Sequence, residues 1–260
     1  MITYMNSVKS AGRVLDLLEL LVRQSQPIGV SEIARRMLMP KSSTSGLVAT
    51  LEARGYVTVG PAGVELVAAY RDVGWVGGMT SSVVRSSRPV MKALSLQTDE
   101  SCFLGVLTEA MNIQFVEKSL PNNAIRYDVD SSIERPAYST TAGMVLLAGL
   151  SEAELDEYFA MHELKALTVA TMTDERTIRR ALKEVSSQGY ARLTDSSVIG
   201  ASGVGVPIFA NGRVVAGLSI MAPRERFLKS EQANIEAAVA AGKQITQALA
   251  YTNDKTRKAG

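Results

Sequence analysis

Three short helical patterns followed at once by a strand–turn–strand signal fill the first seventy residues, and few small folds accept that order. Val8, Ala11, Val14, Leu15, Leu18, Leu21 and Val22 recur at helical spacing, which predicts a helix over about residues 7–23. Gln26-Pro27-Ile28-Gly29 breaks it. Ser31 is placed to cap a second helix whose Ile33, Ala34 and Met37 face inward. Pro40 suits the start of a third, with Leu47, Val48 and Leu51 on one face and Gly55 just past its end. Residues 56–59 and 64–67 then read as strands around Gly60-Pro61-Ala62-Gly63. Any one of these elements says little. Their order predicts a winged helix-turn-helix.

In that motif the leading end of the third helix meets base edges in the major groove. Here it carries Lys41, Ser42, Ser43, Thr44 and Ser45, one cation and a run of hydroxyls that can donate to phosphates or bases. Arg35 and Arg36 stand just before it as phosphate contacts or as solvated surface charges. The bland alternative is that Ser and Thr gather at a helix start only to cap it. No Arg, Asn or Gln is present for a bidentate base contact, which shifts specificity towards water, DNA shape or the wing. Residues 1–70 hold seven Lys/Arg against five Asp/Glu, so a small basic patch is possible but a basic domain is not.

Residues 68–89 change in composition, with Gly74, Gly77 and Gly78 before Ser81, Ser82, Ser86 and Ser87; they read as a connector, helical from about Ser81. Strand-like runs follow at 102–107, 113–117, 125–129, 204–209 and 214–220, with Asn211-Gly212 as a tight hairpin turn. Ser151 and Glu154 have capping-box spacing, Asp174 and Glu175 suit the first turn of a further helix, and a last helix spans about 230–251, before a basic tail, 255–258, expected to be disordered. The expected division is a DNA-binding domain at 1–68, a partly helical linker at 69–90 and an α+β domain with a mostly antiparallel sheet at 91–260. No apolar run is long enough to span a bilayer, no secretion signal opens the chain, and a single cysteine, Cys102, excludes an intrachain disulfide; a cytoplasmic, membrane-free protein is expected. His162 and Cys102 cannot build a metal site, and no nucleophile–base–acid set emerges, so neither an enzyme nor a cofactor is expected.

The chain resembles the IclR family of bacterial regulators. The match runs through Ser7-Val8-Lys9-Ser10-Ala11-Gly12-Arg13-Val14-Leu15, Val30-Ser31-Glu32-Ile33-Ala34-Arg35, Pro40-Lys41-Ser42-Ser43 and Leu51-Glu52-Ala53-Arg54-Gly55-Tyr56-Val57. It continues at Pro136-Ala137-Tyr138-Ser139-Thr140-Thr141-Ala142-Gly143, Gly189-Tyr190-Ala191, Val206-Pro207-Ile208 and Gly212-Arg213-Val214-Val215-Ala216-Gly217-Leu218-Ser219. The resemblance implies a homodimer or homotetramer on double-stranded operator DNA, with a linker helix and a GAF-like domain that binds a small effector. It implies effector contacts at Tyr138, Thr140, Thr141, Ala142, Leu193, Asp195, Ser202, Gly203, Ser219 and Met221. The sequence departs from the family at several points. Ser45-Gly46 replaces a frequent bulky basic pair, Gly203 a cysteine and Tyr138 a histidine, and only Asp195 remains of a usually acidic run. The altered pocket suggests a small organic acid or aromatic compound, its carboxylate held by hydroxyls and the helix start near Thr141, with Arg126 or Arg192 as candidate aids. The expected function is repression of a catabolic operon. The alternatives are a small-molecule-binding enzyme with an accessory N-terminal domain and a protein-binding winged-helix module.

Overall fold

The computed structural model describes residues 9–22, 24, 26–67 and 78–258. Ser7, Val8, Arg23 and the glycine-rich part of the expected connector before Gly78 lie outside them. The chain divides into two compact units, Met1–Ser82 and Val83–Gly260.

In the first unit, α1 (Lys9–Val22), α2 (Val30–Arg36) and α3 (Lys41–Ala53) precede the antiparallel hairpin β1 (Val57–Gly60) and β2 (Gly63–Leu66). One core joins them: Leu17, Leu18 and Leu21 from α1, Ile33 from α2, Val48 and Leu51 from α3, and Val57, Val64 and Leu66 from the hairpin. Ile28 and Val64 exchange backbone hydrogen bonds of 3.0 and 2.9 Å, which ties the α1–α2 turn to the wing. Ser31 does not cap α2. Gly29 holds the extended backbone of the N-cap position, and Ser31 lies exposed inside the helix.

In the second unit, five antiparallel strands run in the order β4 (Ile113–Ser119), β3 (Ser101–Leu107), β7 (Arg213–Pro223), β6 (Ala201–Ala210) and β5 (Ala191–Thr194). Strand alternation sends successive side chains to opposite faces. Leu218, Ile220 and Ala222 of β7 join Cys102 and Leu104 of β3 under α4 (Gly78–Thr98) and α9 (Glu231–Lys258). Met221 and Val214 of β7 join Phe103 of β3 on the other face. There they meet a 3-10 turn (Ala137–Ser139), α5 (Thr141–Leu147), α6 (Glu152–Met161) and α7 (Glu175–Gln188). The short α8 (Arg224–Lys229) follows β7 directly.

Local signals behave as their chemistry requires. Ser151 and Glu154 form the reciprocal capping box of α6. Asp174, rather than sitting in the first turn, is the N-cap of α7 and accepts from Thr177 N. Asn211 and Gly212 both take positive φ, 50° and 75°, as a two-residue primed turn requires. Residues 125–129 are not a strand. Ile125 is 75% exposed, and the segment is pinned by side chains instead, with Ser101 Oγ donating to Tyr127 O and Lys118 Nζ to Val129 O. β5 is not among the strand-like runs of the sequence, because an edge strand of four residues with one buried side chain carries little periodicity. The last helix continues to Lys258, so the basic tail extends α9.

α5 lies so close to its neighbours that its first turn tolerates no side chain at Gly143, where a Cβ would stand 2.1 Å from Ala137 O. Alanine ordinarily gains about 1 kcal/mol over glycine inside a helix. Here the backbone clash outweighs that gain, and Gly143→Ala is expected to destabilise the chain by about 3 kcal/mol. Urea denaturation checks this; a stability equal to or above that of the parent would refute the close approach.

Candidate nucleic-acid interface and ligand cavity

α3 is two-sided. Val48 and Leu51 are buried, while Lys41, Ser42, Ser43, Ser45 and Gly46 are exposed. Thr44 is the exception among the expected DNA contacts. It is fully buried, and its hydroxyl donates to Pro40 O at 3.1 Å, so it fastens the helix start from within. The N-cap is Pro40 and no side chain caps this end. The exposed serines therefore do not serve as caps, and the first-turn N–H groups and the positive end of the helix dipole are left for an anion.

Arg35 and Arg36 are exposed but not independent. Both pair with Glu32, at 2.6 and 2.7 Å, and Arg36 also donates to Gln24 Oε1. The two guanidinium hydrogen bonds hold the Glu32 carboxyl far below its ordinary range, down to about 2. The trio carries a net charge of +1 at neutral pH.

In the second unit, a cavity of about 20 Å³ opens between the N-terminal end of α5 and the sheet. Of the ten expected effector residues, Thr140, Thr141, Leu193, Ser219 and Met221 line it. The other five do not. Tyr138 is buried in the core, its hydroxyl donating to Lys165 O at 2.8 Å. Ala142 packs against the sheet, over Gly105 and Gly217. Ser202 turns its hydroxyl to Thr194 Oγ1 at 3.1 Å. Gly203 has no side chain to offer. Asp195 accepts from Gly200 N at 2.6 Å and pairs with Arg224 at 2.7 Å.

Ser139, Ser196 and Ala201 also line it, and Phe115, Tyr127, Arg135 and Ser197, which sequence patterns do not mark, complete the wall. Arg135 is the charged residue of the lining, its guanidinium 5.6 Å from the Phe115 ring centroid. Arg126 and Arg192 lie outside the lining, bonded to Asn123 O and Glu231, and Arg135 is itself anchored through Nη1, which donates to Asp130 O and Ile133 O at 3.0 and 2.7 Å.

Hydrogen bonds fix most of this wall. Thr140 caps α5 by accepting from Gly143 N, and Thr141 Oγ1 lies 2.8 Å from Ser219 Oγ. Thr168 and Thr171 donate to the carbonyls of Asp195 and Ser196, at 2.5 and 2.6 Å. From α8, Arg224 holds Asp195, and Arg226 holds the buried Glu100 and Ile125 O. Burial pushes the Cys102 thiol up to about 12, which leaves it an inert core residue. Among the described residues there is no cluster of three His, Cys, Asp or Glu side chains able to hold a metal ion, and no helix long and apolar enough to cross a membrane.

Residues 10–61 match the model of the IclR helix-turn-helix domain, and residues 79–247 that of the bacterial transcriptional regulator IclR C-terminal domain. The HTH-type transcriptional regulator XynR of Escherichia coli strain K12 is 30% identical over 256 residues, which cover 94% of this chain and 98% of that protein. The HTH-type transcriptional regulator KdgR of the same strain is 30% identical over 225 residues, 85% of each. An IclR homolog from Microbacterium hydrocarbonoxydans, solved in complex with 4-hydroxybenzoate, shares the fold with a TM-score of 0.69 at 23% identity, over 93% of this chain and 99% of that one.

The Asp195–Arg224 pair gives the cavity wall a defined acid response. Arg224 and Gly200 N hold the Asp195 carboxyl below its ordinary value. A group depressed on folding contributes above its unfolded pKa, about 3.9, and loses that contribution as pH falls through the lower folded value. Amide exchange at 196–200, corrected for intrinsic rates, should stay level down to about pH 4 and rise below it. Arg224→Ala should raise exchange at neutral pH and shrink the acid step to what Gly200 N alone supports, and Asp195→Asn should remove it. An acid step of full size in Arg224→Ala, or one that survives in Asp195→Asn, would exclude this pair as its origin.

Proposed function

Since this chain belongs to the IclR family of bacterial transcriptional regulators, we propose that it is a ligand-responsive repressor of a catabolic operon, released or re-set by a small organic or aromatic acid. The observation that carries the DNA half is the uncapped, exposed start of α3 on a helix whose other face is buried. Lys41 neutralises a phosphate, the α3 N–H groups meet another, and Ser42, Ser43 and Ser45 reach phosphate or base edges. Arg35 and Arg36 contribute as a pair already shared with Glu32. Two copies in a cytoplasmic homodimer, or a homotetramer built from such dimers, read half-sites about 34 Å apart.

The ligand half rests on the cavity. Thr141 and Ser219 supply hydroxyls, Leu193 and Met221 apolar walls, and Arg135 the positive charge that a carboxylate requires. A neighbour of the same fold, solved with 4-hydroxybenzoate, supports an aromatic acid as an occupant that such a domain can take. Effector binding acts on DNA affinity only through its different affinities for the two states of the protein, a coupling of about 1–3 kcal/mol in most regulators.

Lys41→Ala is expected to weaken binding to operator and non-operator DNA alike and to lower the salt slope by about one counterion. Gel shifts and salt titrations with DNA from upstream of the protein's own gene check both effects. An unaltered slope would remove Lys41 from the interface, and no binding to any DNA by the parent protein would remove the regulator reading.

A further inference from the structure

The cavity is too small for the ligand class just proposed. Its 20 Å³ holds about one water molecule. One lining side chain, Met221, lies in space left by a glycine. Gly203 of β6 and Met221 of β7 are direct cross-strand partners. A Cβ at position 203 would lie 2.2 Å from Met221 Sδ and 3.3 Å from its Cε. Met221 is therefore folded flat across the bare backbone of Gly203, in the space any larger residue would occupy. Its sulfur reaches to 3.7 Å from Thr141 Oγ1, at the start of α5. A thioether chain with three rotatable bonds is the most easily displaced kind of wall a core can have.

A second observation points to a missing occupant. Ser196 lines the same cavity, is 5% exposed, and its hydroxyl has no hydrogen-bond partner among the described residues. The neighbouring hydroxyls of Thr141 and Ser219 satisfy each other. A buried polar group without a partner is unfavourable and is relieved by an acceptor or donor brought in from outside. The charged side chain of the lining is Arg135, with the Phe115 and Tyr127 rings in the same wall.

We infer that Met221 is a displaceable plug, and that the occupant which moves it is a carboxylate on a flat apolar body. The carboxylate oxygens pair with Arg135 and with the Ser196 hydroxyl. The body takes the volume vacated by the Met221 side chain, against the Gly203 backbone. This rests on the effector-domain reading and adds to it the residue that sets the size of the site.

Calorimetry on the full-length chain, with benzoate as probe and benzamide as its neutral isostere, tests the inference. Met221→Ala should bind benzoate at least about tenfold more tightly than the parent, the range that a few methylene groups set in an apolar pocket. In that background, Arg135→Gln and Ser196→Ala should each weaken benzoate by about tenfold, and Arg135→Gln should leave benzamide unchanged. Methyl-13C methionine labelling gives a reading that needs no cavity variant. The Met221 methyl signal of the parent protein, assigned with Met221→Leu, should shift on benzoate addition.

Benzoate binding that is sensitive to Arg135, but equal in parent and Met221→Ala, with a stationary Met221 signal, overturns the plug and leaves the effector site standing. No benzoate binding by either protein overturns both.

Discussion

The second unit depends on a direct contact between helix backbone and sheet. Gly105, Gly205 and Gly217 lie beneath α5, and Gly105 and Gly217 are cross-strand partners. A Cβ at Gly205 would stand 2.5 Å from Thr141 O, and one at Gly217 2.6 Å from Ala142 O. Because these positions carry no side chain, the start of α5 sits on the sheet instead of a side-chain layer above it. That depth brings Thr141 Oγ1 within 2.8 Å of Ser219 Oγ and puts the helix terminus at the cavity wall. Interiors are close-packed, so a helix lifted by even one methyl group would dissolve this arrangement.

The remaining walls are loops, and charge holds them where apolar burial cannot. α8 follows β7 immediately and sends Arg224 to Asp195 and Arg226 to Glu100. Glu100 is almost fully buried and lies two residues past the end of α4. Removing one partner of such a pair leaves a buried charge without compensation, which costs far more than a surface ion pair contributes. Arg226 also binds Ile125 O, and Ser101 Oγ binds Tyr127 O, so the segment that carries Tyr127 into the cavity is fixed at two points. Tyr127, Ser196 and Met221 thus lie on three segments linked through one short helix to the end of α4. A ligand that displaces any of them works against these ties, and its effect is bounded by the difference in its affinity for the two arrangements.

Periodicity and caps made the winged helix, the capping box at Ser151 and the turn at Asn211-Gly212 legible, because each is a local device with a sequence signature. Four of the residues expected at contacts share another property. Thr44, Tyr138, Ser202 and Asp195 carry polar groups suited to a ligand, and all four are already occupied by partners: Pro40 O, Lys165 O, Thr194 Oγ1, and Arg224 with Gly200 N. Only Pro40 and Gly200 are near neighbours in sequence; Lys165, Thr194 and Arg224 come from elsewhere in the chain, beyond what spacing can show. The lining residues that no pattern marks have the same explanation. Arg135 and Tyr127 lie in irregular chain between β4 and the 3-10 turn, where no pattern marks a side chain as facing inward. The Gly203–Met221 complement was invisible for the same reason, since it exists only across a strand pair.

Pairing of charges also decides how the first unit meets an anion. In the sequence, Arg35, Arg36 and Lys41 form a run of three positive charges. In the structure, Glu32 shares both arginines, so the local charge before any contact is nearer +2. Each phosphate neutralised by a free cation releases about one counterion, and that release supplies most non-specific affinity. A recognition helix led by one lysine, three exposed serines and its own uncapped N–H groups gains little from that source. Under the reading proposed for α3, its hold on a duplex falls to short, directional hydrogen bonds from the serines and the helix N–H groups. Ser42, Ser43, Ser45 and Gly46 are small and exposed, so no bulky side chain shields the backbone of α3 at this end.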